Sequence, residues 1–340
     1  MTAYVSAPPS YLRSIETVKS HIPTISTLSV DDIFIALRSI PKPEIIYTVY
    51  DQNIDRFNNI QRTESTSVPS LSGNFVTLIP RHRFIATQTP HRSRDCFNKK
   101  KLIAFFEALK TYQAVAVVNL THKDDQDTLN YTGSQNFPNY LEITNENNTD
   151  NVFLNSYEGP NENVEDSFTS IKQQLKHAVF EGVLPPQRPV LNIMLDEEYE
   201  DISASTSPPA TPPKYTPDDM KDPGLEYLYV KVDCWVDRLD MPLEPFVPLI
   251  SKICKIFTEH ENKIIMVHCL GGVGRTGTLI VACAINQLFK EKILNKENRN
   301  EIIASLVLEL RMQRSPSAVQ NEKQMKLLFA YADSLLSDPL

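Results

Sequence analysis

The sequence lacks the signatures of several common protein classes. Its five cysteines form no CxxC pair, so neither a zinc site nor a disulfide framework is expected, and free thiols fit a reducing compartment. No apolar run reaches the roughly 18 residues of a membrane span, and the N-terminus lacks the basic start and apolar core of a signal peptide. We therefore expect a cytoplasmic protein, either in its own cell or, for a secreted effector, in the cytosol of a host.

A surplus of basic residues is also missing. Lysine and arginine total 34 against 42 aspartate and glutamate residues, which gives a formal net charge of −8. An acidic chain is a poor general binder of nucleic acid or of an anionic membrane, so neither is predicted as a partner. The sequence has no cluster with metal-ligand spacing, and we predict neither a metal nor a cofactor.

The chain is expected to form one enlarged domain with additions. A length of 340 residues is long for one ordinary domain and short for two large ones. Residues 1–29 are predicted to form an N-terminal arm, and residues 30–340 a single domain. Residues 203–223 are rich in proline, serine and threonine, so we predict a disordered insertion there.

Alternating helix and strand patterns predict an α/β fold. Residues 101–112 carry apolar side chains at helical spacing, and the apolar run 114–120 that follows is typical of a buried strand. We expect a central twisted mixed sheet flanked by helices. The further strands are predicted at 190–195, 225–232 and 263–267, and the further helical or apolar runs at 276–289, 300–310 and 321–336.

The most informative segment runs from Val267 to Gly277 and reads Val-His-Cys-Leu-Gly-Gly-Val-Gly-Arg-Thr-Gly. An apolar strand delivers Cys269 to its carboxyl end, and a tight loop of five residues, three of them glycine, follows it. Glycines let backbone N–H groups converge on one point, and the N-terminus of the next helix adds positive potential. The segment therefore predicts an anion nest of phosphate size with a sulfur at its floor.

The residue types around this nest fit phosphoryl chemistry on a thiolate. The positive field favours the thiolate form of Cys269, which can attack phosphorus. Arg275 can bind two phosphate oxygens through its guanidinium fork. His268 is expected to orient the loop rather than act as a base, and Thr276 to donate its hydroxyl to the departing sulfur. A P-loop nucleotide site is excluded because no lysine follows the glycines.

The motif His-Cys-x5-Arg-Thr-Gly resembles the signature of the protein tyrosine phosphatase superfamily. Further segments, in the same order along the chain, resemble its large tyrosine-specific catalytic domain of the non-receptor type over roughly residues 30–337. The resemblance implies the cysteine phosphatase fold, with the phosphate loop between a strand end and a helix N-terminus. The matching segments are Phe84–Pro90 (Tyr-Ile-Ala-Thr-Gln-Gly-Pro in the family), Trp235–Asp237 (Trp-Pro-Asp), and Leu310–Arg314 with Val319 and Gln320 (the glutamine loop and its lead-in).

The same resemblance implies hydrolysis of phosphotyrosine through a cysteinyl-phosphate intermediate. Asp237 would act as acid for the leaving phenolate and then as base for water, on a mobile loop hinged at Trp235. Asp233 and Asp240 are rivals that the family spacing from Trp235 disfavours. Gln320 would position the hydrolytic water. The predicted substrate-binding positions of the phosphate loop and its surroundings are Leu270, Gly271, Gly272, Val273, Gly274 and Gln324.

Several positions depart from the family pattern. Phe57 lies where the family has an aromatic wall, and we predict that it stacks on the substrate ring and deepens the pocket, which favours phosphotyrosine over the shorter phosphoserine. Asn59 replaces an aspartate that grips the substrate backbone, so weaker peptide anchoring is expected. Val236 replaces the proline of the acid loop and is expected to loosen it. Leu270 and Gly271 replace serine and alanine.

Two other functions are left open by the sequence. A catalytically weak phosphotyrosine-binding module would use the same pocket without turnover, although Cys269, Arg275, Asp237 and Gln320 are all retained. A phosphoinositide or dual-specificity phosphatase is the other alternative, and the loop lacks the lysine that phosphoinositide-specific relatives often carry.

The predicted partners are phosphotyrosine-containing proteins, which implies a role in signalling. The PxxP segment Pro209–Pro212 is in addition a candidate ligand for an SH3-type domain.

Overall fold

The computed structural model describes residues 10–41, 45–50, 60–89, 99–121, 190–193, 228–232, 235, 241–260 and 262–337. The helices in these ranges are α1 (Ser10–His21), α2 (Val30–Ser39), α3 (Lys99–Thr111), α4 (Leu243–Glu259), α5 (Arg275–Lys290), α6 (Arg299–Gln313) and α7 (Glu322–Ser337), with short 3₁₀ helices at Ile25–Thr27 and Glu64–Thr66. The strands are β1 (Gly73–Val76), β2 (Arg83–Gln88), β3 (Ala114–Asn119), β4 (Val190–Ile193), β5 (Leu228–Val232) and β6 (Ile264–Cys269).

The strands form one mixed sheet in the order β1-β2-β6-β3-β5-β4. β1 is antiparallel to β2, and the remaining neighbours are parallel. β6 lies inside the sheet, and all of its residues are buried. A strand that is buried on both faces carries apolar side chains throughout, which explains the unbroken apolar run that precedes the phosphate-loop motif. The predicted mixed α/β sheet is confirmed.

The carboxyl ends of the central strands meet at one edge of the sheet. In register, Gln88 of β2 lies beside Cys269 of β6, and Asn119 of β3 lies beside His268. β6 passes directly into the loop 270–274, which leads into α5. Ligands of α/β proteins bind beyond the carboxyl ends of the strands, so the sheet places this loop where a site is expected.

Helices α4, α5, α6 and α7 enclose a common apolar core. α5 is the most enclosed of them, because every residue from Arg275 to Asn286 is buried. Its first turn therefore lies inside the protein, and the loop that leads into it is held between the sheet and the helical layer.

The first described helix packs into the same core. Tyr11 and Val18 of α1 are buried, and the hydroxyl of Ser14 donates to a carboxylate oxygen of Glu309 on α6 at 2.8 Å. The predicted arm over residues 1–29 thus contains a helix that shares the core of the domain. The domain boundary itself stays a prediction.

Besides α1, the elements β1, β2 and α4 have no counterpart in the sequence prediction. β1 has four residues with Asn74 among them, which is too short a pattern to indicate a strand. β2 ends in buried polar residues, because it lies beside β6 rather than at a solvated edge. α4 contains Pro248 in its second turn, and a proline inside an apolar pattern usually argues against a helix.

The predicted insertion at 203–223 lies outside the described residues. None of the helices in the described ranges combines the length and the apolar character that crossing a bilayer requires.

Candidate active site

Cys269 ends β6 and is 2% exposed. The loop that follows bends back over the side chain, and the backbone N–H of Gly272 donates to the Cys269 sulfur at 3.3 Å. An N–H group directed at sulfur stabilises negative charge on it. The contact fixes the position of the sulfur at the floor of the loop.

The loop depends on the absence of a side chain at position 272. Gly272 has a φ of +66°, and a Cβ there would lie 2.2 Å from the carbonyl oxygen of Thr87 on β2. Rotating a side chain cannot relieve a clash with backbone. At Gly274, a Cβ would lie 2.8 Å from Gln324 Nε2 and 3.1 Å from Gln320 Oε1. The loop is thus enclosed by β2 on one side and by two glutamines on another.

The apolar residues of the loop have a structural role. Leu270 and Val273 are buried, while Gly271 is partly exposed. The carbonyl oxygen of Leu270 accepts from the N–H of Thr89 at 3.2 Å, and that of Val273 from the N–H of Val319 at 3.1 Å. Hydrogen bonds from neighbouring segments therefore hold the backbone of the loop at both of these positions.

Arg275 is the first residue of α5 and is completely buried. Its Nη1 donates to the carbonyl oxygen of Trp235 at 2.8 Å. Trp235 is also fully buried and meets the ring of Phe246 on α4 edge to face, with 5.6 Å between the ring centroids. The start of the predicted acid loop is therefore attached to the arginine of the phosphate loop.

A second buried guanidinium, that of Arg314, supports the loop from behind. Its Nε donates to the carbonyl oxygen of Gly272 at 3.1 Å, and its Nη2 to that of Gly271 at 3.3 Å. Its Nη1 donates to Asn74 Oδ1 on β1 at 2.9 Å. The peptide between Gly271 and Gly272 consequently has its C=O on Arg314 and its N–H on the Cys269 sulfur, since the two groups of a trans peptide point in opposite directions.

The segment between α6 and α7 closes the site on its other side. The backbone N–H of Gln320 donates to Gln324 Oε1 at 2.7 Å, while Gln324 Nε2, which lies close to Gly274, has no hydrogen-bond partner within the described residues. Val319 has a φ of +54°, an uncommon and costly conformation for a β-branched residue. The hydrogen bond from its N–H to the Val273 carbonyl explains why the strain is maintained.

Two arginines, one on α6 and one on α2, hold the same segment in place. Arg311 Nε donates to the carbonyl oxygen of Ala318 at 3.1 Å, and Arg38 Nη2 to that of Gln320 at 3.3 Å. Both guanidinium groups lie near the ring of Phe34, at 5.6 Å and 4.5 Å from its centroid. Burial, followed by the charge of Arg38, lowers the pKa of Arg311 to about 10, so this arginine remains positively charged at neutral pH.

The two remaining described residues of the predicted machinery are also buried. His268 lies edge to face with Phe105 of α3, with 5.7 Å between the ring centroids. The hydroxyl of Thr276 has no hydrogen-bond partner among the residues that the structure describes, so it is available to the sulfur or to a bound anion. The structure thus brings together Cys269, His268, Arg275 and Thr276 at one end of β6.

Three predicted site residues, Asp237, Phe57 and Asn59, lie outside the described residues. Their roles stay predictions.

Arg314 and Asn74 are the structural partners of the site that sequence reasoning overlooked. In the sequence Arg314 is visible only as part of a family segment, and a lone asparagine in a four-residue strand carries no signal of its own. One hint exists in the sequence: Arg311 and Arg314 flank the end of an apolar helix, where a charged residue requires a buried partner.

Sequence comparison identifies relatives of this chain. The family model described as Protein-tyrosine phosphatase matches residues 221–333. Tyrosine-protein phosphatase 2 of Schizosaccharomyces pombe is 31% identical over 155 residues, which is 43% of this chain. The match spans 20% of the length of that relative.

Solved structures share the fold at low identity. A protein tyrosine phosphatase of Trypanosoma brucei matches with a TM-score of 0.54 and 19% identity, covering 95% of this chain and 98% of its own. The catalytic domain of human protein tyrosine phosphatase non-receptor type 18 matches with a TM-score of 0.52 and 13% identity, covering 95% of this chain and 99% of its own. The same phosphatase in complex with HER2 phosphopeptides matches with a TM-score of 0.52 and 14% identity, covering 96% and 98%.

The match over residues 221–333 includes the cysteine loop, the buried arginine and the glutamine segment, and the fold is that of the phosphatase catalytic domains. Residues 221–333 of the chain therefore resemble the protein tyrosine phosphatase family, and the described residues share the fold of its catalytic domains.

Replacing Gly272 by alanine is expected to lower the free energy of unfolding by at least about 2 kcal/mol, because the new methyl group meets the Thr87 carbonyl at a positive φ. Urea unfolding measures the loss, and titration with tungstate measures anion binding by the loop. Gly271→Ala is the matched control, since its methyl group would meet side chains alone, the movable end of Ile60 at 2.5 Å and Val273 at an ordinary contact distance of 3.6 Å. Equal losses in the two variants would contradict this account of the loop.

Proposed function

We propose that the protein is a tyrosine phosphatase that hydrolyses phosphotyrosine through a cysteinyl-phosphate intermediate. The observation that carries the proposal is the arrangement at the end of β6. A buried cysteine receives a backbone N–H on its sulfur, and the buried Arg275 lies at the start of the helix that follows the loop. A thiolate nucleophile and a fixed guanidinium at one anion nest are what transfer of a phosphoryl dianion requires.

In the first step, the Cys269 thiolate attacks phosphorus and forms the S–P bond. The P–O bond to the tyrosyl oxygen breaks, and Asp237 gives its proton to that oxygen. Arg275 and the N–H groups of the loop bind the three equatorial oxygens while the charge on them develops. The attachment of Arg275 to the Trp235 carbonyl supports this assignment, because it ties the loop of the acid to the phosphate-binding arginine.

In the second step, water attacks phosphorus from the position that the phenol has left. Asp237, now a carboxylate, accepts a proton from the water, and the electrons of the S–P bond return to sulfur. Gln320 positions the water, and Thr276 donates to the departing thiolate. The closeness of Gly274 to Gln320 and Gln324 supports a role for the glutamine segment at this stage.

Phosphotyrosine in proteins is the proposed substrate. The structurally similar phosphatase that is known in complex with HER2 phosphopeptides supports this substrate. The buried, apolar Leu270 and Val273 also support it, because they provide no extra positive charge for a multiply charged lipid headgroup. A phosphotyrosine-binding module without turnover is less well supported, because the nucleophile, the arginine and the glutamine are all present at the site. We further propose a cytoplasmic signalling role, with Pro209–Pro212 as a candidate SH3 ligand.

Cys269→Ser is expected to retain the fold and less than about a thousandth of the activity, because a serine hydroxyl does not ionise near neutral pH. Initial rates on p-nitrophenyl phosphate, a phosphotyrosine peptide, a phosphoserine peptide and a phosphoinositide test the reaction and the substrate class together. Cys254→Ser, which changes a buried cysteine away from the loop, is the control. Substantial activity left in the Cys269 variant would refute the covalent mechanism.

Asp237→Ala is expected to slow hydrolysis of an aryl phosphate with a poor leaving group about 10²–10⁴-fold and to affect p-nitrophenyl phosphate much less, because an activated leaving group needs little protonation. The dependence of kcat on leaving-group pKa measures this. Asp240→Ala is the control. If hydrolysis of the two substrates slows equally, the acid is another residue.

Phe57→Ala is expected to raise KM for a phosphotyrosine peptide several-fold, since stacking contributes about 0.5–1.5 kcal/mol beyond area burial. Asn59→Asp is expected to lower the same KM by restoring a charge that accepts from the peptide backbone. Kinetics of both variants on one peptide decide the matter. An unchanged KM in Phe57→Ala, or equal hydrolysis of phosphoserine, would remove this segment from the pocket rim.

A further inference from the structure

A cavity of about 620 Å³ lies between α1, the segment 45–50 and α6. Its size is in the range of binding sites for small ligands and peptide side chains. Its walls include Ser14, Ile46, Thr63, Glu309 and Met312. The residues of the phosphate loop do not line it, so it is a site apart from the proposed catalytic centre.

Glu309 is the chemically unusual wall residue. It is 7% exposed, its Oε2 accepts from Ser14 Oγ at 2.8 Å, and its Oε1 from Gln313 Nε2 at 2.7 Å. Within the described part of the chain, no lysine, arginine or histidine forms an ion pair with it. Two neutral donors compensate only in part for burying a negative charge, and a cation would complete the compensation.

The carboxylate can accept more hydrogen bonds than it now receives. Its two oxygens offer about four lone-pair positions, of which the hydrogen bonds from Ser14 and Gln313 occupy two. A guanidinium or ammonium group in the cavity could therefore bind Glu309 without displacing either donor. Ile46 and Met312 provide apolar walls against which the aliphatic stem of such a group can pack.

Beyond the cavity, the apolar surface continues along the segment 45–50. The side chains of Ile46, Val49 and Tyr50 are 68%, 88% and 47% exposed. This segment is held in an extended form, because Thr48 N–H donates to the Arg62 carbonyl and the Ile46 carbonyl accepts from Glu64 N–H. A ligand that reaches Glu309 can thus make further apolar contacts outside, which favours a peptide over a small amine.

We propose that this cavity binds a peptide segment in which a basic side chain is flanked by apolar ones, with the cation on Glu309. The charges at the rim agree with this ligand. Glu64 and Arg13 also line the cavity and are exposed, so that two carboxylates face one guanidinium and the net charge of the lining is negative.

The experiment is a calorimetric titration of the full chain with the peptide acetyl-Leu-Arg-Leu-amide. Its matched control is the same peptide with citrulline, which has nearly the shape of arginine but no charge. Orthovanadate is present throughout to occupy the phosphate loop. We expect the arginine peptide to bind at least about tenfold more tightly than the citrulline peptide, because a buried carboxylate discriminates strongly between charged and neutral ligands. Equal affinity for the two peptides would overturn the proposal.

Variants then locate the site. Glu309→Gln is expected to abolish most of the preference for arginine. Glu64→Gln is expected to weaken binding of the arginine peptide, and Arg13→Gln to strengthen it, each by about two- to fivefold as for exposed charges. Glu259→Gln, an exposed carboxylate on α4, is the control and should change nothing.

Opposite shifts in Arg13→Gln and Glu64→Gln support the site even if Glu309→Gln does not fold, since both residues are exposed. Unchanged binding in both, or in a folded Glu309→Gln, would overturn it. The titration involves no turnover, so it is independent of the proposed phosphatase activity.

Discussion

The candidate active site depends on one buried guanidinium that holds the phosphate loop from behind. Arg314 holds the carbonyl groups of Gly271 and Gly272, and the peptide between them is thereby turned so that its N–H meets the Cys269 sulfur. Phosphate loops require inward N–H groups, and every inward N–H implies an outward carbonyl that needs a donor. Burying an arginine is costly unless its donors are used, and here Asn74 takes a further one. The shape of the nest is therefore maintained by a side chain that lies behind the loop.

The second constraint is the position of β6 inside a mostly parallel sheet. Its neighbours β2 and β3 place Gln88 and Asn119 beside the last two residues of the strand, and the Thr87 carbonyl limits what position 272 can carry. Segments that are far apart along the chain thus meet within a few ångströms of one cysteine. Trp235 joins them through its carbonyl group, which connects the start of the predicted acid loop to the same arginine that begins α5.

The sequence predicted those parts of the site that are encoded locally. The strand, the loop and the helix around Cys269 are contiguous, and the helical spacing before and after Gln320 is regular, so each could be deduced from a window of a few residues. The features that could not be deduced depend on contacts between residues that are far apart along the chain. Arg314 lies 42 residues from Gly272 and 240 from Asn74, and the left-handed conformation of Val319 is imposed by the Val273 carbonyl. The inclusion of α1 in the core is of the same kind, because its contacts are with α6.

The position of Arg314 in the chain has a consequence for how the protein is made. During synthesis the cysteine motif leaves the ribosome well before the arginine that shapes it, and β1, which carries Asn74, has left long before either. Until α6 and the turn after it have joined the sheet, the thiol lies in a glycine-rich strand end without a formed nest. The nascent chain therefore carries the signature before it carries a formed nest, and the nest is completed only after Arg314 has been made and has reached the carbonyl groups of the loop.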